Sequence, residues 1–319
     1  MDHIKLHVLP RKSMTWQEFM EETPSNSIAL DGVVRGGPRW DEQTRHINFD
    51  HHEFVEREAT MSTCKQVWYA IKGGLFQSFK DERGRPFANV YVNDPDQDTA
   101  LAVWELRNYK SLEGTNGSPT MNRLIELNDR LDVTGGSFPM SLSDQLVRQH
   151  LWVFQPYADL RRSGKLADAN AEEMMNCLDA TSFRLTEFLV GRGEEVELDS
   201  RHEILHEDSR FKVINEIGGN DARYMLFANG MNAFISLVAT RQDGNRVFTV
   251  GKRSRFIPFP VRSLYGVYND AEGLTSENGW NGSDLVGGSS RLLGSKLAPT
   301  DLFTITKDYL DNVERSTVA

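Results

Sequence analysis

The run Ile47-Asn48-Phe49-Asp50-His51-His52 sets the reading of this chain. Ile47 to Phe49 alternates apolar and polar residues as a strand does, and the strand closes on an Asp-His-His triplet. Oxygen and imidazole ligands side by side suit Mn²⁺, Mg²⁺, iron or zinc. The carboxyl end of a strand is also where open α/β sheets place their ligands. Taken alone, the triplet fits a polar strand end with a surface histidine equally well.

More carboxylates lie outward from it. Asn89-Val90-Tyr91-Val92 reads as a short buried parallel strand, and it runs into Asn93-Asp94-Pro95-Asp96-Gln97-Asp98. Leu101, Ala102, Trp104, Leu106 and Tyr109 follow at helical spacing, so a helix is expected over 98–109 with Asp98 near its N-terminus. Capping accounts for one aspartate of that group and not for the others. Earlier, Ser27-Ile28-Ala29-Leu30 is another short strand ending in Asp31-Gly32, where turn formation explains Asp31 as well as metal binding does.

With these residues together, the chain resembles the DHH phosphoesterases, the superfamily of RecJ-type exonucleases, oligoribonucleases, cyclic dinucleotide phosphodiesterases and manganese pyrophosphatases. Asp50-His51-His52 matches the name-giving motif, and Ala59-Thr60-Met61-Ser62-Thr63 opens a helix shortly after it. Pro95-Asp96-Gln97-Asp98-Thr99-Ala100 is similar to the family's PDxDA motif, Asp31 to its bridging aspartate, and Asp132-Val133-Thr134-Gly135-Gly136-Ser137-Phe138 to its DTGxF segment. Gly279-Trp280-Asn281-Gly282-Ser283 and Gly287-Gly288-Ser289-Ser290-Arg291 resemble the glycine-rich loops of the associated C-terminal (DHHA1-like) substrate domain. Two departures stand out. The Asp-x-Asp motif follows Asp-His-His here, where the family has the reverse order, so the resemblance implies a permuted sheet. The family's histidine before the first motif aspartate falls on Val92, leaving Asp94, Asn93 or a more distant side chain to replace it.

The resemblance implies a two-metal phosphoesterase, with ions about 3.5–4 Å apart serving an in-line displacement. Asp31 would bridge two Mn²⁺ ions (or Mg²⁺), Asp96 would bind one, and Asp98, His51 and Asp132 the other, with Asp129 as alternative to Asp132. His52 would face the substrate phosphate, and Asp50 would orient the histidines from behind. Gly287, Gly288, Ser289, Ser290 and Arg291 would hold a small phosphorylated substrate such as a nucleotide, a short oligonucleotide or pyrophosphate. Two alternatives remain open: a metal-poor relative that binds nucleotide without hydrolysing it, motivated by Val92, and a zinc peptidase using His202-Glu203-Ile204-Leu205-His206. The latter matches H-E-x-x-H, which needs a helix, whereas the flanking sequence alternates like strands.

The chain's 319 residues suffice for two domains with cores. The expected architecture is α/β: residues 1–139 a parallel-sheet metal-binding domain, 140–193 a helical connector or a bundle packed on the sheet, and 194–319 a smaller mixed or antiparallel α+β domain. Helices are expected over 62–71, 98–109, 121–131 and 261–271, and strands over 211–217, 223–227, 233–240 and 246–250. Gly218-Gly219, Asn229-Gly230 and Asp243-Gly244 mark turns between them. Lys252, Arg253, Arg255, Arg262, Arg291 and Lys296 add a basic set beside the glycine loops, where glycine lets backbone N–H groups approach an anion. Trp280 is either a base-stacking surface or packing.

Thirty-nine per cent hydrophobic and 26% charged residues exclude a disordered chain. No apolar run approaches the ~20 residues of a membrane span, and Met1-Asp2-His3-Ile4-Lys5 lacks a signal-peptide pattern. Cys64 and Cys177 are the only cysteines, which excludes a disulfide scaffold and points to a cytoplasmic setting. A net charge of −10, from 36 basic and 46 acidic residues, argues against long nucleic acid as partner. Oligomeric state is not legible.

Overall fold

Four apolar runs, Ile4–Val8 (β1), Ser27–Leu30 (β2), His46–Phe49 (β4) and Ala88–Val92 (β5), lie parallel in one sheet. Arg39–Asp41 (β3) is added antiparallel at one edge, giving the order β1-β5-β2-β4-β3. All four positions of β2 and all five of β5 are buried, as expected of parallel strands covered on both faces. The computed structural model describes residues 3–138 and 140–318; the expected boundary at Pro139, and Met1 and Asp2, lie outside the described residues.

Helices complete this α/β layer. Trp16–Glu22 (α1) joins β1 to β2 and starts on a capping box, in which Thr15 Oγ1 accepts from Glu18 N while Glu18 accepts from Thr15 N. Thr63–Lys72 (α2) and Leu75–Ser78 (α3) carry the chain from β4 to β5 on the other side of β2. The direction of strand addition reverses there, so the carboxyl ends of β4, β2 and β5 adjoin around a crevice. Gln97–Arg107 (α4) and Pro119–Val133 (α5) follow, then Gln145–Val153 (α6), Gln155–Arg162 (α7) and Ala171–Leu189 (α8). Every residue of α4 from Asp98 to Leu106 is buried.

The chain divides into two contact units. The first comprises Met1–Val133, Ser143–Leu160 and Asp168–Glu197, the second Thr134–Leu142, Arg161–Ala167 and Leu198–Ala319. Most of the helical stretch 140–193 therefore belongs with the first sheet, since Leu178, Leu185 and Phe188 of α8 are buried in the same core as Val90, Leu101 and Leu124.

The second unit holds a six-stranded mixed sheet in the order β10-β11-β9-β8-β7-β6. Its strands are Glu203–Glu207 (β6), Lys212–Asn215 (β7), Ala233–Thr240 (β8), Arg246–Lys252 (β9), Asn281–Gly282 (β10) and Val286–Gly288 (β11). Only β7 and β8 pair in parallel; the other neighbours are antiparallel. Asn220–Ala228 (α9), Val261–Glu272 (α10) and Pro299–Val318 (α11) are its helices. The strand expected over 223–227 is thus helix α9. Tyr224 and Phe227 have strand-like propensity, but parallel β7 and β8 need a crossover, and Gly219, at φ 69, starts a helix there.

Candidate metal centre

Asp31, Asp50-His51-His52 and Asp96/Asp98 follow β2, β4 and β5, so parallel packing gathers at one end of the sheet what the sequence spreads over 68 positions. His51 lies at the middle of the cluster. Its Nε2 is 2.7 Å from Asp132 Oδ2 and 3.7 Å from both Asp31 Oδ1 and Asp98 Oδ2. Two ligand groups result, Asp31–His51–His52 and His51–Asp98–Asp132, each with donor atoms within 4.8 Å of one another and both sharing His51.

Each member is held by its own element. Asp31 takes a left-handed backbone (φ 52) immediately after β2, and its carboxylate accepts from Thr63 Oγ1 at 2.8 Å at the start of α2. Asp98 accepts from the first amides of α2, Thr63 N at 2.6 Å and Cys64 N at 2.9 Å, and from Asn128 Nδ2 at 3.3 Å. Asp96 caps α4 through Thr99 N at 2.8 Å, and its carboxyl neighbours that of Asp31. Asp50 Oδ1 accepts from the backbone N–H groups of His51 and His52 and from His52 Nδ1–H at 2.7 Å. Asp50 therefore orients His52 and leaves Nε2–H as the ring donor that can meet an anionic ligand.

The choice between Asp129 and Asp132 is decided by packing. Asp129 accepts from Ser62 N at 2.8 Å and Lys65 Nζ at 3.0 Å, whereas Asp132 reaches His51. Val92 is buried in β5, and Asn93 spends its amide on the Lys12 and Gly32 carbonyls at 2.9 Å, so it supplies no imidazole-like donor to the cluster. Arg57, Gln66 and Asn128 are not marked by the sequence, and Thr63 is marked there only as part of a helix start. Arg57 donates to the Val133 and Asp132 carbonyls and lies 3.5 Å from Asp132 Oδ2; Gln66 Nε2 donates to Asp50 O at 2.9 Å. Arg57, Gln66 and Asn128 belong to no short motif.

Electrostatically, the cluster suits a cation. Burial, followed by neighbouring carboxylates, pushes Asp96 and Asp98 well above the ordinary carboxylate range, and burial likewise raises Asp31. Burial keeps His51 neutral, the form that ligates metals. Burial opposes ionisation of Asp132, but His51, Arg57 and His52 outweigh it and hold its carboxyl below the usual range. Burial disfavours protonated His52, but Asp31 and Asp50 outweigh it and raise its pKa to about 9. Both ring nitrogens of His51 and Oδ2 of Asp132 are buried without a satisfied hydrogen bond, because the 2.7 Å approach lacks hydrogen-bond geometry. The lone-pair nitrogen of neutral His51 and Asp132 Oδ2, left unmatched in this way, fit a divalent ion among them.

A polar seam runs inward from Asp98. Asn128 Oδ1 accepts from fully buried His150 Nε2 at 3.0 Å, and His150 Nδ1 has no partner. Burial lowers the His150 pKa from 6.5 to about 3. The unfolded chain binds this proton below pH 6.5 and the folded one does not until about pH 3, so His150 makes stability fall as pH drops through that window. His150→Gln, which retains a donor for Asn128, should flatten the pH dependence of unfolding free energy by one proton, about 1.4 kcal/mol per pH unit. Urea titrations of both proteins at several pH values between 4 and 7 measure it; parallel curves would disprove the assignment.

The remaining sequence-marked residues lie in the second unit. Gly287 and Gly288 lie in β11, and a Cβ at Gly287 would meet Tyr265 Oη at 2.1 Å, so close packing requires this glycine. Ser289 Oγ accepts from Phe248 N and Ser290 Oγ from Leu293 N, both within the fold, while the Arg291 side chain is exposed. Trp280 is fully buried and donates Nε1–H to Glu272, so it is packing and offers no stacking face. His202 and His206 fall on or beside β6. His202 donates to Ser200 O, and His206 stacks on Phe303 at 5.0 Å, so the helical face that H-E-x-x-H requires is not formed.

Neither a scan against protein-family models nor a search of curated proteins finds a match to this chain. Among the described residues no helix is long and apolar enough to cross a membrane.

Proposed function

We propose that the chain is a divalent-metal-dependent phosphoesterase acting on a small phosphorylated substrate: a nucleotide, a short oligonucleotide or a pyrophosphate-type compound. The observation that carries this reading is the pair of ligand groups sharing His51 at the carboxyl ends of β2, β4 and β5. Asp31, His51, Asp96, Asp98 and Asp132 would hold Mn²⁺ or Mg²⁺. Such ions, when bound, supply an activated water and neutralise charge on phosphoryl oxygens during in-line displacement. The chain's own contribution is positional. Asp50 fixes His52 so that Nε2–H can donate to a phosphate oxygen, Arg57 and the two histidines favour ionised Asp132, and the N-terminus of α2 fixes Asp98. The resemblance to the DHH phosphoesterases supports the same chemistry, with the motif order permuted.

A hydrolysis screen with added Mn²⁺ over pyrophosphate, 3′-phosphoadenosine 5′-phosphate, cyclic dinucleotides and short oligonucleotides, run beside metal analysis, tests the reading. Mn²⁺-dependent turnover of one class is the expected result. Bound nucleotide without turnover would favour the non-hydrolysing alternative that Val92 suggests. If Arg291 grips the substrate phosphate, Arg291→Ala should raise KM about tenfold or more at nearly constant kcat with metal content unchanged. An unchanged KM would remove Arg291 from the substrate site.

A further inference from the structure

The amino ends of the same strands carry a second feature. Asn26 immediately precedes β2 and Arg45 immediately precedes β4; together with Trp40, Lys80 and Arg83 they line a cleft of about 920 Å³. That is the size of a small-molecule site. Asn26 is only 7% exposed, and its Nδ2 donates to Lys80 O at 3.0 Å, which identifies the other amide atom as oxygen. Asn26 Oδ1 is then a buried acceptor without a donor, and Arg45 Nε a buried donor without an acceptor. Both residues adopt the left-handed backbone, φ 63 and φ 55, which is uncommon outside glycine and marks a position held by its surroundings.

The rest of the lining has a consistent chemistry. Trp40 on β3 is 44% exposed, with its ring braced against Phe79 at 5.7 Å. Arg45, Lys80 and Arg83 have no ion-pair partner among the described residues, since the nearby acid Asp81 is taken by Arg85 at 2.7 Å. Glu42 and Glu82 also line the cleft and supply acceptors suited to sugar hydroxyls. An aromatic face, hydroxyl acceptors and cations without ion-pair partners are complementary to a nucleotide.

We propose that this cleft is a binding site for a mononucleotide. The base lies on Trp40, and the phosphate is met by Arg45, Lys80 and Arg83. The site is separate from the metal centre. β2 spans the gap, with Asn26 at one end and Asp31 at the other, roughly 16 Å apart at strand rise.

Calorimetric titration of the full chain in EDTA, with AMP, GMP, CMP, adenosine and inorganic phosphate as probes, tests this. One equivalent of a mononucleotide should bind. Trp40→Ala should weaken it about tenfold, the scale of one lost stack, and so should reversing the exposed charge in Arg83→Glu, whereas His52→Ala at the metal centre should leave it unchanged. Arg83→Glu lies in an exposed turn and keeps the test decisive if Trp40→Ala folds poorly. The proposal is overturned if no mononucleotide half-saturates below roughly 1 mM, if adenosine binds as tightly as AMP, or if His52→Ala abolishes binding that Arg83→Glu leaves intact.

Discussion

His51→Ala is expected to strip divalent ions from the whole cluster, because His51 is the one side chain common to both ligand groups. Removing any other member leaves one group complete or nearly so. Activity on the best substrate should fall by more than the 10–100-fold that the loss of an outer-shell partner typically costs. A second readout needs no substrate. Ligand at about a hundred times its Kd stabilises a fold by about 2.7 kcal/mol, which raises Tm by about 5–10 °C for a unit of this size. Wild type should show that rise on adding Mn²⁺ and His51→Ala should not. Asp129→Asn is the control, since Asp129 is committed to Ser62 N and Lys65 and should leave the rise in place. An equal Mn²⁺-dependent rise in His51→Ala would end the metal-centre reading.

The strand ends were legible because buried parallel strands advertise themselves. Ser27–Leu30 and Ala88–Val92 are short, apolar and β-branched or aromatic, and the polar residue after each is conspicuous. Which of these ends would adjoin was not, since strand order depends on how α2 and α3 cross the sheet. Asp129 and Asp132 lie three apart on α5, nearly one face of the helix, so helical phase could not separate them; Lys65, in the first turn of α2, did. Asn128 and His150 sit on helices whose other inward residues are apolar, and periodicity gives no sign that a polar pair is sequestered there. The error at 223–227 has the same root: aromatic residues suggest a strand, but the crossover between β7 and β8 is a tertiary demand. The glycine of Gly287 reads in the sequence as room for an anion at the backbone, whereas in the structure a Cβ there would meet Tyr265 Oη.

Glu216→Ala should cause the largest loss of stability in the second unit. Glu216 is 3% exposed and accepts from Arg223 Nη2 at 2.7 Å, Arg161 Nη2 at 2.6 Å and Ser236 Oγ at 2.7 Å. Arg223 is itself 4% exposed and stacks its guanidinium on Phe234, so deleting the carboxylate strands a buried cation. Breaking such a pair from one side costs about 3–5 kcal/mol, whereas replacing both partners by apolar groups is often neutral. Urea unfolding should therefore show that loss for Glu216→Ala and recover much of it in Glu216→Leu combined with Arg223→Met. Burial opposes ionisation of Glu216, but Arg223 and Arg161 outweigh it and depress its pKa below 4.5. A carboxylate depressed on folding contributes stability that is complete above its unfolded pKa and disappears as pH falls through the folded one. The wild-type advantage over Glu216→Ala should accordingly be constant above about pH 5 and shrink below pH 4.5. A loss under about 1 kcal/mol at pH 7, the scale of a surface ion pair, would mean that the cluster is solvated and does not organise this unit.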